Sequence, residues 1–125
     1  RDEHAREVTE DYVEMIADLI DQDGEARAVA LAERFGVTPA TVNNTVKRLE
    51  RDGYVTSKPY RAIFLTDDGR ALAEMCKERH RLVCDFLIAI GVDRDVAEAD
   101  AEGIEHHVSE ATLSVFRAFV EKQGR

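Results

Sequence analysis

The sequence predicts a mainly α fold, with an N-terminal winged helix-turn-helix over residues 1–66 and an α-helical dimerisation domain over residues 67–125. Three observations point there. Apolar residues recur at helical spacing along most of the chain. Two short helical patterns meet at Gly36, and the second opens with a capping threonine and a proline. Directly after them, β-forming residues flank a turn.

The elements follow in order. Tyr12, Val13, Ile16, Leu19 and Ile20 form the apolar face of a first helix, and Gly24 ends it. Glu7, Asp11, Glu14 and Asp18 fall at steps of four, three and four on another face. A stripe of that kind is the ordinary solvated side of a helix. Residues 26–52 predict two helices around a tight turn: Val29, Leu31, Ala32 and Phe35, then Gly36-Val37, then Thr38 as N-cap with Pro39 behind it. Val42, Val46 and Leu49 line the second helix, and Gly53 closes it. From Tyr54 to Thr66 the pattern turns to strand, with Ser57-Lys58-Pro59 as the turn of a two-stranded wing. Thr66 caps the next helix, with Asp67 and Asp68 in its first turn. Leu72, Cys76, Arg79, Val83, Phe86 and Ile90 then make a long stripe, widened by Leu82 and Leu87, which suits a core, a partner helix, or both. Gly91 ends it. Asp93 is read as the cap of a helix to about His107, and Ser109 as the cap of the last, with Leu113, Phe116, Phe119 and Val120 inward.

Composition excludes several classes. The longest apolar run, Phe86 to Val92, is far below the roughly 18 residues of a membrane helix. No stretch at the start has the pattern of a secretory signal. Cys76 and Cys84 are too few for a disulfide framework and fit a reducing, cytoplasmic setting. The net charge is −9, from 17 Lys+Arg against 26 Asp+Glu. The whole therefore argues against phosphate binding, but the distribution reverses the argument. Residues 26–61 carry +4 and the remainder −13. A basic block inside an acidic chain, coinciding with a helix-turn-helix and wing, predicts contact with DNA. The candidates are Thr38, Thr41, Asn43, Asn44, Lys47 and Arg48 on the second helix, with Lys58 and Arg61 at the wing tip. Threonine and asparagine can read base edges, whereas lysine and arginine mainly hold phosphates.

The C-terminal half holds a second constellation. Three of the four histidines, His80, His106 and His107, lie there. In the run Glu102-Gly103-Ile104-Glu105-His106, helical spacing puts Glu102 and His106 on one face with Glu105 beside them. Carboxylates with imidazole and no thiolate suit Mn2+ or Fe2+, with Zn2+ an alternative by raw affinity. The zincin and zinc-ribbon motifs are absent, and so is the Glu-x-x-His pair of di-iron bundles.

Four motifs carry a resemblance along nearly the whole chain: Glu10-Asp11-Tyr12-Val13-Glu14, Thr38-Pro39-Ala40-Thr41-Val42, Glu78-Arg79-His80-Arg81 and Asp100-Ala101-Glu102-Gly103-Ile104-Glu105-His106-His107. With them, the chain resembles the metal-dependent repressors of the diphtheria-toxin-repressor family, in particular the manganese-responsive branch. The resemblance implies a binuclear metal site between the winged-helix and dimerisation domains. Carried over position by position, its ligands are Asp11, Glu14, His80, Glu102, Glu105 and His106. The iron-responsive branch has methionine where Asp11 stands and cysteine where Glu102 stands. The two hard oxygen donors here therefore favour Mn2+, two ions per chain, with Fe2+ as the alternative. His107 has no ligand role in the resemblance and is expected to make a structural hydrogen bond.

The expected function is that of a cytoplasmic, homodimeric, Mn2+-responsive repressor of manganese uptake genes. It would bind double-stranded operator DNA, with no membrane association, no small organic substrate and no enzymatic activity. Two other readings are distinguishable. A winged-helix repressor of an organic ligand needs a roomy apolar pocket and has no use for clustered Glu and His. A binuclear metallohydrolase needs an open coordination position and a substrate cleft, for which little of this chain is uncommitted.

Overall fold

A computed structural model describes residues 2–58 and 62–124. The chain divides into two compact units, Arg1–Glu74 and Met75–Arg125.

The first unit contains α1 (Asp2–Asp23), α2 (Ala28–Phe35), α3 (Pro39–Arg51), strands β1 (Val55–Thr56) and β2 (Phe64–Leu65), and the first turns of α4 (Asp67–Ala89). Its core joins Tyr12, Ile16 and Leu19 of α1 to Leu31 and Ala32 of α2, Val42, Val46 and Leu49 of α3, and Val55 and Ile63 of the wing. The Tyr12 and Phe35 rings stack with centroids 4.5 Å apart. Gly36 has φ 67° at the end of α2, a left-handed conformation that costs glycine nothing and lets α3 turn back sharply. Thr38 then caps α3 by accepting the Thr41 N–H at 3.1 Å.

The wing is antiparallel, with Val55 opposite Leu65 and Thr56 opposite Phe64. It has a third anchor that periodicity does not show. Ala26 bridges to Ile63, whose N–H donates to the Ala26 carbonyl at 2.7 Å. A single bridge has no alternation to read. Pro59, Tyr60 and Arg61, and with them the expected DNA contact from Arg61, lie outside the described residues.

Thr66 locks the start of α4. Its hydroxyl donates to the Gly53 carbonyl at 2.6 Å and accepts the Gly69 N–H at 3.1 Å, and its N–H donates to the Tyr54 carbonyl at 3.0 Å. Gly69 sits so close to this turn that a Cβ there would collide with the Tyr54 carbonyl oxygen.

The second unit contains the rest of α4, then α5 (Arg94–Ile104), a 3-10 turn at Glu105–His107, and α6 (Glu110–Gln123). Val83 and Cys84 of α4, Ala97 and Ala101 of α5 and Leu113 of α6 form its core. Phe86 stacks on Phe116 at 3.9 Å and meets Phe119 edge-on at 5.6 Å. Cys76 and Cys84 are both buried and form no disulfide among the described residues. Ser109 caps α6 through the Thr112 N–H at 3.2 Å.

The structure departs from the sequence pattern at two points. Asp93 occupies the N-cap position of α5, but its side chain makes no capping bond. The α-helix also stops at Ile104 rather than near His107. The three residues after it tighten to three per turn, which rotates their side chains relative to a continued α-helix.

Candidate functional site: a metal centre and a nucleic-acid face

That tightening decides where the acidic and imidazole groups go. Glu102, still on α5, keeps a side chain 69% exposed, whereas the Glu105 and His106 side chains, on the 3-10 turn, are 0% and 2% exposed. The shared helical face expected for Glu102 and His106 is therefore split into an outer carboxylate and an inner carboxylate–imidazole pair.

His80 approaches from α4. Its Nδ1 lies 2.7 Å from Glu105 Oε2 and 3.8 Å from Glu102 Oε1. Donor atoms of His80, Glu102 and Glu105 all lie within 4.8 Å of one another, a spacing that fits one metal ion. The other oxygen of Glu105, Oε1, is buried and accepts no hydrogen bond among the described residues, lying 3.6 Å from His106 Nε2. A buried carboxylate with an orphaned oxygen is costly unless a cation completes it. Arg79 reaches the other side of His106, its guanidinium 3.5 Å from Nδ1.

The electrostatics agree with a site built around shared charge. Burial raises the Glu105 carboxyl above its ordinary range; His80 pulls it back and Glu102 pushes it up, and the net displacement is upward. Burial lowers the His80 imidazole, but the hydrogen bond and charge of Glu105, with Glu102 and Glu98, more than restore it, and the net displacement is again upward. Both groups are thus displaced toward their protonated forms, Glu105 by burial and His80 by the facing carboxylates.

Glu98 is the residue that sequence reasoning missed. Its Oε2 lies 3.5 Å from His80 Nε2, on the opposite edge of the ring from Glu105. The signal was present: Glu98, Glu102 and Glu105 follow steps of four and three, the spacing of one helical face. Asp11 and Glu14 both stand on α1 in the first unit, half-buried.

On the first unit, α3 buries Val42, Val46 and Leu49 and exposes Thr41, Asn43, Asn44 and Lys47. The Thr38 and Thr41 hydroxyls are 3.0 Å apart and engage each other. Arg48 does not share this exposed face. Its guanidinium reaches back to α1, 3.4 Å from Thr9 Oγ1 and 3.5 Å from the Ala5 carbonyl. Between α2, α3 and the wing runs a groove of about 850 Å3 with Arg27, Asn43, Lys47 and Lys58 on its walls. Glu50, the one carboxylate on those walls among the described residues, accepts the Ser57 N–H at 3.4 Å and so ties α3 to the wing.

A winged helix-turn-helix with an exposed polar recognition helix, followed by a helical unit with a buried His–Glu cluster, defines a metal-responsive DNA-binding regulator. Comparison with known proteins places it further. Residues 4–63 match the iron dependent repressor N-terminal DNA binding domain, and residues 66–123 match the iron dependent repressor metal binding and dimerisation domain. The chain belongs to the iron-dependent repressor family. It is 49% identical over 124 residues to the transcriptional regulator MntR of Escherichia coli O157:H7, covering 99% of this chain and 80% of that protein. Identity to MntR of Salmonella typhimurium is 48%, covering 99% and 79%. Among solved structures it superposes on a manganese-dependent transcriptional repressor in complex with manganese with a TM-score of 0.80, at 32% identity over 90% of this chain and 52% of that one. The manganese regulator SloR gives a TM-score of 0.76 at 28% identity, over 90% and 53%. The chain spans about half the length of these two solved proteins. These relatives are transcriptional regulators.

Proposed function

We propose that the chain is a cytoplasmic, homodimeric repressor that binds operator DNA of manganese uptake genes when loaded with Mn2+. The observation that carries this reading is the His80–Glu102–Glu105 cluster, with a fully buried Glu105 whose Oε1 is unsatisfied. All donors there are carboxylate or imidazole, the hard and borderline set that suits Mn2+.

His80, Glu102 and Glu105 would hold one ion. Asp11, Glu14 and His106 would complete a two-ion centre, an assignment supported by the resemblance and by the hard-donor chemistry of those residues. The metal supplies positive charge and a fixed coordination geometry. The chain's own residues do the rest. His80 must give up its Nδ1 proton to serve as a donor, Glu105 presents both oxygens without further desolvation, and exposed Glu102 can adjust to the ion. On the DNA side, Asn43, Asn44 and Thr41 are offered to base edges, while Lys47 and Lys58 flank a groove whose open, cationic walls suit a phosphate backbone. Arg48 acts indirectly by tying α3 to α1.

Operator binding measured at fixed salt with and without Mn2+ tests the proposal. Tight binding only with Mn2+ is expected, and His80→Ala should abolish the response. Equal affinity with and without metal removes the reading.

A further inference from the structure

We propose that Glu98 is a positioning residue for the metal centre: its carboxylate takes the Nε2–H of His80 and holds the ring with Nδ1 facing Glu102 and Glu105. The inference rests on the metal-binding reading of that cluster.

An imidazole has two nitrogens on different edges, and both edges of His80 face carboxylates. Glu105 is 2.7 Å from Nδ1, and Glu98 is 3.5 Å from Nε2. The His80 side chain is 21% exposed, so burial alone does not fix the ring. Glu98 and Glu102 stand one turn apart on α5, and His80 and Cys84 one turn apart on α4. Glu98 faces α4 at His80, and its charge helps hold the Cys84 thiol above its ordinary range, after burial itself. Its carboxylate lies 3.5 Å from His80 Nε2 yet falls outside the group of donor atoms that converge within 4.8 Å. It is 54% exposed, unlike the fully buried Glu105.

The chemistry fits that placement. A neutral imidazole that donates electrons from Nδ1 must carry its remaining proton on Nε2. A hydrogen-bond acceptor at Nε2 selects that tautomer and restrains ring rotation, and loss of such an outer partner typically costs 10–100-fold in metal affinity. Without Glu98 the proton would be drawn toward Glu105 on the Nδ1 edge, where it competes with the ion.

The test is Mn2+ titration of the full chain as wild type, Glu98→Gln, Glu98→Ala and His80→Ala. Glu98→Ala should weaken Mn2+ binding about 10-fold. Glu98→Gln should stay within about threefold, because its amide oxygen still accepts the Nε2–H. A second readout is the imidazole nitrogen spectrum of the Zn2+-loaded protein. It should show a protected His80 Nε2–H in the wild type and in Glu98→Gln, and an exchange-broadened one in Glu98→Ala. Unchanged affinity in Glu98→Ala, while His80→Ala loses the metal, overturns the positioning role. Equal losses in Glu98→Gln and Glu98→Ala also overturn it, because charge and not hydrogen bonding would then be at work. If His80→Ala binds Mn2+ like the wild type, the underlying metal reading fails, and the positioning role with it.

Discussion

At His80 and Glu105 the folded chain binds protons more tightly than the unfolded chain does. Burial first raises Glu105; for His80, burial acts downward but the facing carboxylates outweigh it. Both folded-state values therefore lie above the unfolded ones. The associated stability is fully present below the unfolded values and is lost as pH rises through the folded ones. Metal binding runs the other way, because a donor must be deprotonated before it can ligate. Metal-free protein should therefore lose thermal stability as pH rises from 4.5, the ordinary value for Glu105, through its raised value, and further from 6.5, the ordinary value for His80, through its raised value. Mn2+ affinity should climb across the same window. Melting curves over pH, with and without saturating Mn2+, check both signs; parallel trends in the two series would contradict the shared-site account. Donor softness gives a second prediction. Asp11→Met with Glu102→Cys replaces two hard oxygens by thioether and thiolate, and preference should move from Mn2+ toward Fe2+ or softer ions. A variant that still responds best to Mn2+ in DNA binding shows that selection lies elsewhere. The sequence made His80, Glu102 and Glu105 legible as donor types. It placed Glu98 on the same helical face by spacing but did not disclose its role, which depends on which edge of a ring on another helix it faces.

The start of α4 is fixed by several contacts at once. Gly69 lets the first turn rest on the Tyr54 backbone, and Thr66 bonds to Gly53, Tyr54 and Gly69 there. Gly69→Ala would gain helix propensity, worth about 1 kcal/mol, but its methyl group would meet a carbonyl that cannot move without breaking those bonds. Overpacking of this kind costs about 1–3 kcal/mol, so the net effect should be a lower melting temperature. A higher one would show that the contact relaxes at no cost. The caps Thr38, Thr66 and Ser109 were readable because each is a local contact three residues long. The end of α5 was not readable. Nothing in Glu105-His106-His107 breaks a helix by propensity; the chain tightens there as it buries two polar side chains. The same limit applies to Arg48, whose partners Ala5 and Thr9 lie about forty residues away, and to the Ala26–Ile63 bridge.

For the whole molecule, the question is how metal could control DNA binding in a chain of net charge −9, whose residues 26–61 carry +4 and the rest −13. Two mechanisms follow from the proposed ligand set. One is charge relief: two Mn2+ ions per chain add four positive charges and ease approach to phosphate. The other is geometric. The proposed ligands come from α1, α4 and the α5–turn segment, so one centre would restrain stretches of chain far apart in sequence. In a dimer, such restraint sets the spacing of two recognition helices, which must enter major grooves about 34 Å apart or at a multiple of it. Metal would then act by binding the DNA-competent arrangement better than the others. Charge relief is the weaker candidate, because salt screens exposed charges over about 8 Å under physiological conditions. Glu14→Gln combined with Glu105→Gln separates the two, since it removes two negative charges while impairing the centre. The geometric account expects a folded dimer that binds operator weakly with or without Mn2+, checked by sedimentation and by DNA titration at fixed salt. Strong metal-independent binding by the same variant would instead make charge relief the switch.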